Sequence, residues 1–264
     1  MPVEKKETVR ILGVEFPVTD KAEIREIIKI KLDRKGTPTL IFTPNTDILL
    51  RCAKSRKLTA LINSADISLP DGGGVVIASK ILGNPLHERI SGIDTGEFIL
   101  SIAADMGLSV YFLGGRNETA KSAAANMRMS YPGLKTCGAH HGYFSKTGAE
   151  NDTVIAEINS AQPDIIFVCF GFPAQEAWLY ENAAKIPSLR LGIGLGGSFD
   201  VWSGNKKRAP ALFRKLYLEW LWRGFCEPRR LKIILRFPEF FFRVLAERFR
   251  AKKARKCRTH AVRE

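Results

Sequence analysis

The first 205 residues of this chain repeat one pattern: a short, wholly apolar run halts at a cluster bearing glycine or proline, and a stretch with helical spacing comes next. Thr39-Leu-Ile-Phe-Thr halts at Pro44-Asn45, and the spacing of Ile48, Leu49, Cys52, Ala53 and Leu61 predicts a helix from Thr46 to about Asn63. Ile67-Ser-Leu meets Pro70-Asp71-Gly72, before a helix over Val75 to Leu82. Ser109-Val-Tyr-Phe-Leu enters Gly114-Gly115, with a helix from Glu118 to Met127, and Leu134 to Cys137 leads to His140-His141-Gly142-Tyr143-Phe144. Asp164-Ile-Ile-Phe-Val-Cys-Phe enters Gly171-Phe172-Pro173, then a helix through Trp178. Leu189-Arg-Leu-Gly-Ile-Gly ends in Gly196-Gly197-Ser198-Phe199-Asp200.

Apolar strands alternating with helices fold as an α/β, Rossmann-like, mostly parallel sheet with helices on both faces. Ligands of such sheets bind outside the carboxyl ends of the strands. Every cluster above falls at such an end, so all of them are expected to meet in one crevice.

The charge has a boundary. The chain carries a formal net charge of +14, and residues 206–264 hold 19 Lys and Arg against 5 Asp and Glu, whereas residues 1–205 hold 22 of each. The basic tail therefore meets something anionic. Leu212 to Trp222 reads as one strongly amphipathic helix closed by Arg223-Gly224 and Pro228. A second begins near Phe237, with Phe241, Val244, Leu245 and Arg248 at helical spacing, and leads to the polybasic Lys252–Arg258. Aromatics interleaved with arginines suit anionic lipid or nucleic acid. The five cysteines are scattered without a C-x-x-C pair, and the first residues lack the apolar core of a signal peptide, so a cytoplasmic location is expected.

Local sequence leaves each candidate residue two readings. Asp71, before Gly72-Gly73-Gly74, is either a helix N-cap or a general base whose glycines admit substrate. A cap accepts backbone N–H bonds, which make it a poor base. Asn45 either caps the helix at Thr46 or faces the crevice, and Gln175 either satisfies backbone groups after Pro173 or meets a ligand. Arg89 is either a paired surface charge or part of the site. Gly192–Gly197 matches G-x-G-x-x-G, but the residues from Ser198 to Asn205 do not continue it as a convincing helix. Adjacent His140 and His141 point apart on a strand, so no metal site is expected, and no cofactor.

Taken together the motifs resemble the WecG/TagA/CpsF glycosyltransferases. The resemblance rests on Thr43-Pro-Asn45, on residues 69–94 (LPDGGGVV…ASK with PLHERISGID), on HHGYF at 140–144, on FGFPAQEAW at 170–178, on GGSFDVWSGNKKRAP at 196–210 and on LEWLWRGFCEPRR at 218–230, in order over roughly residues 9–240. It implies an inverting, metal-independent transfer from a UDP-sugar (UDP-N-acetylmannosamine, its uronic acid or UDP-glucose) to a polyprenyl-diphosphate-linked saccharide of cell-surface polysaccharide synthesis. By the same resemblance Asp71 is the general base. Thr43, Asn45, Arg89 and Gln175 line its pocket, and Tyr143 and Asp200, with the glycine turns at Gly114 and Gly197, meet the UDP-sugar. Residues 1–205 are then the catalytic core and 206–264 a membrane-associating appendage whose Arg223 and Arg230 meet diphosphate. Where the family often has a further arginine, this chain offers Lys232 before Arg236. The implied location is the inner face of the membrane. An exposed apolar tail could also pack on a second subunit.

Inversion needs one base and one leaving group, so a single carboxylate suffices. The charge growing on the leaving UDP would meet arginines, with Arg89, Arg223 and Arg230 grouped for that purpose. Two rival readings are a nucleic-acid-binding α/β protein using its basic tail and a nucleotide-dependent oxidoreductase; the ordered set of family motifs weighs against both.

Overall fold

A computed structural model describes residues 7–226 and 235–261 of the chain. It begins with a hairpin, Thr8–Ile11 (β1) and Val14–Pro17 (β2), closed by Leu12 and Gly13, both at positive φ as a tight two-residue turn requires. After the hairpin come Lys21–Asp33 (α1), Thr39–Phe42 (β3), Thr46–Cys52 (α2), Arg56–Asn63 (α3), Ile67–Ser68 (β4), Gly73–Leu82 (α4) and Gly92–Met106 (α5). The chain continues with Ser109–Gly114 (β5), Thr119–Ser130 (α6), Lys135–His140 (β6), Ala149–Ala161 (α7), Ile165–Cys169 (β7), Ala174–Asn182 (α8), Leu191–Gly194 (β8) and Ser198–Trp202 (α9). The C-terminal segment supplies Ala211–Lys215 (α10), Glu219–Cys226 (α11) and Phe237–Ala261 (α12).

Six strands form one sheet in the order β4-β3-β8-β7-β5-β6, and every pairing is parallel. Alternate strand residues enter two separate cores. Leu40, Phe42, Ile166 and Val168 pack with the hairpin, α2, α4, α7, α8 and α12. Ile41, Ile165, Phe167 and Ile193 face α1, α5, α6 and α9. Burial on both faces is why these strands read as unbroken apolar runs rather than alternating ones. β5 leads outward to β6 while its neighbour β7 leads the other way to β8. Their loops diverge, and a crevice opens between them at the switch in strand order.

Several elements differ from expectation. The stretch 46–63 is two helices, because the Ser55 side chain caps α3 by accepting from the Leu58 N–H and diverts the chain after Cys52. The stretch 212–222 also breaks, at Tyr217, whose φ is +59°. α11 then continues through Gly224 to Cys226. The hairpin, α1, α5 and α7 lie in stretches that the strand pattern alone does not single out. α12 is not a free arm: Phe240 and Val244, 1% and 0% exposed, enter the core beside α4, while Phe242 and Phe249 stay 72% and 67% exposed.

Candidate active site

The crevice has a volume of about 850 Å³ and collects the ends of all six parallel strands. Thr43 and Asn45 line it after β3, Asp71 and Gly72 after β4, Gly115 and Arg116 after β5, Tyr143 after β6, Gln175 after β7, and Gly197 and Asp200 after β8. Arg89 lines it as well, and Tyr217, Glu219, Trp220 and Phe237 close one side from the C-terminal segment.

Asp71 reaches this place by extending a strand pairing beyond the regular sheet. The Leu69 N–H donates to the Phe42 carbonyl at 2.8 Å and the Asp71 N–H to the Pro44 carbonyl at 3.2 Å. The N-cap position of α4 belongs to Gly72, with no side-chain cap hydrogen bond, so Asp71 is not the cap that local sequence allowed. Each glycine has its own reason. Gly72 takes φ of +120° and has open space where a side chain would stand. A Cβ on Gly73 would lie 2.6 Å from Tyr217 Cβ, and one on Gly74 would collide with Thr46. Only the first glycine keeps space open beside Asp71; the other two admit protein.

Arg89 is brought alongside because the Ile90 N–H donates to the Pro70 carbonyl at 3.0 Å. It is 9% exposed and sits between two carboxylates. Its Nε is 3.5 Å from Asp71 Oδ1, an ion pair, and its Nη2 donates to Glu219 Oε2 of α11. Burial pulls the guanidinium's pKa down, but Asp71 and Glu219 outweigh it and hold the pKa above its usual value. The structure thus engages Arg89 with carboxylates.

Asn45 has both of its expected roles: its Oδ1 accepts from the Asp47 and Ile48 N–H groups at 3.0 and 3.2 Å, capping α2, while the residue lines the crevice. Thr43 donates to the Gly194 carbonyl at 3.3 Å, tying the end of β3 to β8. Gln175 is a brace between the loops after β7 and β8. Its Oε1 accepts from the Gly171 N–H at 3.2 Å and the Gly196 N–H at 3.0 Å, and its Nε2 donates to Glu176 Oε1 at 2.9 Å. Burial pushes the Glu176 carboxyl up to about 7.

The far end of the crevice carries Tyr143, with an exposed ring, and Asp200, paired to Lys206 at 2.8 Å. Gly197 precedes α9 on the crevice wall. Gly114 stands behind that wall, at φ of +130°, where a Cβ would meet the Cys169 backbone; its neighbour Gly115 is the lining residue. The first two glycines of the G-x-G-x-x-G match serve packing: a Cβ at Gly192 would press on Leu179 at 2.8 Å, and one at Gly194 on Gln175 at 2.7 Å. The His140 ring Nδ1 faces the His141 carbonyl at 2.7 Å. Among the described residues no group of three or more His, Cys, Asp or Glu is placed to share a metal. Only the backbone of Arg223 is described, in α11, and Arg230 and Lys232 lie outside the described residues. Arg236 pairs with Asp47 at 3.1 Å.

Sequence reasoning missed Glu219, Arg116, Lys146 and the aromatic side formed by Tyr217, Trp220 and Phe237. Trp220 and Phe237 meet edge to face at 4.8 Å. Lys146 Nζ donates to the Gly142 and Phe144 carbonyls at 2.6 and 2.7 Å and lies over the Phe144 and Phe170 rings. Burial lowers its pKa. Its signal was a lysine two residues after Phe144, which ends the HHGYF segment. Arg208, within the GNKKRAP segment, reaches Asp94 and, at 3.0 Å, Glu97, binding that segment to the start of α5.

A family model described as "Glycosyl transferase WecG/TagA/CpsF family" matches residues 9–254. Two relatives from Staphylococcus aureus, strains MRSA252 and NCTC 8325 / PS 47, are each named N-acetylglucosaminyldiphosphoundecaprenol N-acetyl-beta-D-mannosaminyltransferase. Each is 36% identical to this chain over 259 residues, covering 97% of this chain and 100% of the relative.

Proposed function

The chain belongs to the glycosyl transferase WecG/TagA/CpsF family, and on that premise we propose that it moves a hexose from a UDP-sugar to a polyprenyl-diphosphate-linked N-acetylglucosamine, with inversion. The names of the relatives favour N-acetylmannosamine as the sugar, over its uronic acid or glucose. The observation that carries the reading is the position of Asp71: a carboxylate on the crevice wall, beside the open space at Gly72 and against the guanidinium of Arg89.

Asp71 takes the proton from the acceptor hydroxyl as its oxygen attacks the anomeric carbon, a step worth about 10²–10⁴-fold in rate. The bond to the UDP oxygen breaks in the same displacement, so no second carboxylate is needed as nucleophile. Tyr143 and Asp200 receive the nucleoside end. Arg116 and Lys146 of the crevice, with Arg223 and Arg230 of the tail, meet the growing diphosphate charge. Thr43, Asn45 and Gln175 keep the loops around Asp71 in register.

The C-terminal segment brings this site to its lipid. It carries all the net charge of +14 and turns Phe242 and Phe249 outward. Each basic residue near an anionic surface is worth about 1 kcal/mol, and wedged phenylalanines add apolar burial. No described helix is long and apolar enough to cross a membrane. The enzyme works as a peripheral protein at the inner, cytoplasmic face, where such acceptors are held.

The test is UDP release from a panel of UDP-sugars with a short-chain polyprenyl-diphosphate-linked N-acetylglucosamine. Acceptor-dependent release with one donor supports the reading and names the sugar; absence of release with every donor overturns it.

A further inference from the structure

Arg89 is enclosed, and it is shared. Asp71 approaches its Nε at 3.5 Å, and Glu219, 130 residues further along the chain, accepts a direct hydrogen bond from its Nη2. The Glu219 side chain is itself mostly buried, at 14% exposure. Among the described residues, the charged groups around this cluster include Asp94, which adds a further negative charge near Arg89, and Arg208, which is spent on Asp94 and Glu97.

An arginine beside a carboxylate stabilises its ionised form and so weakens it as a base. A general base works best when its proton affinity is not drawn far below the operating pH. Arg89 holds Asp71 in place, but left to itself it would also make Asp71 a poor proton acceptor. We propose that Glu219 is a positioning residue of the reaction that also sets the strength of the base: by binding the other side of the Arg89 guanidinium it keeps Arg89 in place while cancelling part of its charge. The inference rests on the reading of Asp71 as general base. Glu219 and Asp71 are also like charges on either side of one cation, so both effects act in the same direction.

The arrangement couples chemistry to assembly. Glu219 opens α11, two residues after Tyr217, and Tyr217 rests on Gly73, two residues after Asp71. Seating the C-terminal segment therefore delivers Glu219 to Arg89 and completes the base.

The experiment follows the Asp71 carboxyl by ¹³C NMR titration in the full chain, its signal assigned by its loss in Asp71→Asn. The wild type is compared with Glu219→Gln and Glu219→Asp, and the pH profile of kcat/KM is recorded on the same samples. In Glu219→Gln the Asp71 midpoint and the acid limb of the profile are expected to move down together by about one pH unit. The plateau should fall roughly threefold, as Brønsted behaviour of a weakened base requires. Glu219→Asp keeps the charge and restores most of both. An unchanged Asp71 midpoint in folded Glu219→Gln overturns the proposal, whatever the activity. If Glu219→Gln does not fold, Glu219→Ala, which also removes the charge, takes its place, and an unchanged Asp71 midpoint there overturns the proposal. A wild type without transferase activity strikes the functional reading alone, because the NMR titration still judges Glu219.

Discussion

Tyr217 occupies the space that a side chain on Gly73 would need: a Cβ built there would lie 2.6 Å from its own Cβ. Tyr217 takes this position at φ of +59°, a conformation unfavourable for a residue with a side chain, and the turn it makes separates α10 from α11. The Asp71 loop and the C-terminal segment are thus fitted to each other at one glycine.

Gly73→Ala should lift the segment that carries Tyr217 and Glu219. Activity is expected to fall by up to ~10²-fold, the scale of a misplaced catalytic constellation. Stability should fall by about 1–3 kcal/mol, the usual cost of overpacking. Adding Tyr217→Gly removes the colliding Cβ and suits the positive φ there, so the double variant should recover part of its melting temperature in calorimetry.

Asp71→Asn keeps the shape of the loop and removes the proposed base. Turnover should drop by at least ~10²-fold, with circular dichroism unchanged and UDP still bound in calorimetry. Undiminished turnover would remove Asp71 from the chemistry.

Glu176 links pH to folding. Its carboxyl titrates at about 7 in the folded protein, against 4.5 for the ordinary group, so the folded state holds the proton more tightly than the unfolded chain. The neutral acid's contribution to stability is whole below pH 4.5 and is lost as pH rises through 7. Urea unfolding of the wild type should therefore weaken between pH 5 and 8 by up to about 3 kcal/mol. Glu176→Gln, which keeps the shape and cannot ionise, should show a flatter dependence over that range.

Gln175→Ala leaves the Gly171 and Gly196 N–H groups without their brace. An orphaned, largely buried donor costs about 1–3 kcal/mol, so the loops after β7 and β8 should loosen together. Hydrogen exchange at Gly171 and Gly196 is expected to quicken before that of the strand interiors.

α12 has two apolar faces with different duties. Phe240→Ala, emptying a fully buried position, should destabilise by about 3–5 kcal/mol. Phe242→Glu with Phe249→Glu, both exposed, should leave the melting temperature nearly unchanged and weaken co-flotation with anionic vesicles. Loss of flotation in the first variant alone would reverse these duties.

The strands and the crevice were legible because their signals are local. A strand buried on both faces must be apolar throughout, and the polar or glycine-rich residues after it must then lie at one edge of a parallel sheet. Thr43, Asn45, Asp71, Tyr143, Gln175 and Asp200 all reached the crevice expected of them. The break at Tyr217 carried no such signal. Leu212 to Trp222 has the spacing of one continuous helix, yet it breaks at Tyr217, where that residue packs on Gly73.

The sequence by itself determined the alternating architecture, the crevice at its carboxyl edge, the carboxylate set among glycines within it and the concentration of basic charge at the end of the chain. All four come from periodicity and composition, which act over a few residues at a time. Tertiary structure alone decided that Gly73 and Gly74 make room for protein, that Arg89 answers to Asp71 and Glu219 together, and that α12 puts Phe240 into the core while Phe242 faces water. Each of these is a contact between groups far apart in the chain, chosen by shape and charge once the sheet has brought them within a few ångströms.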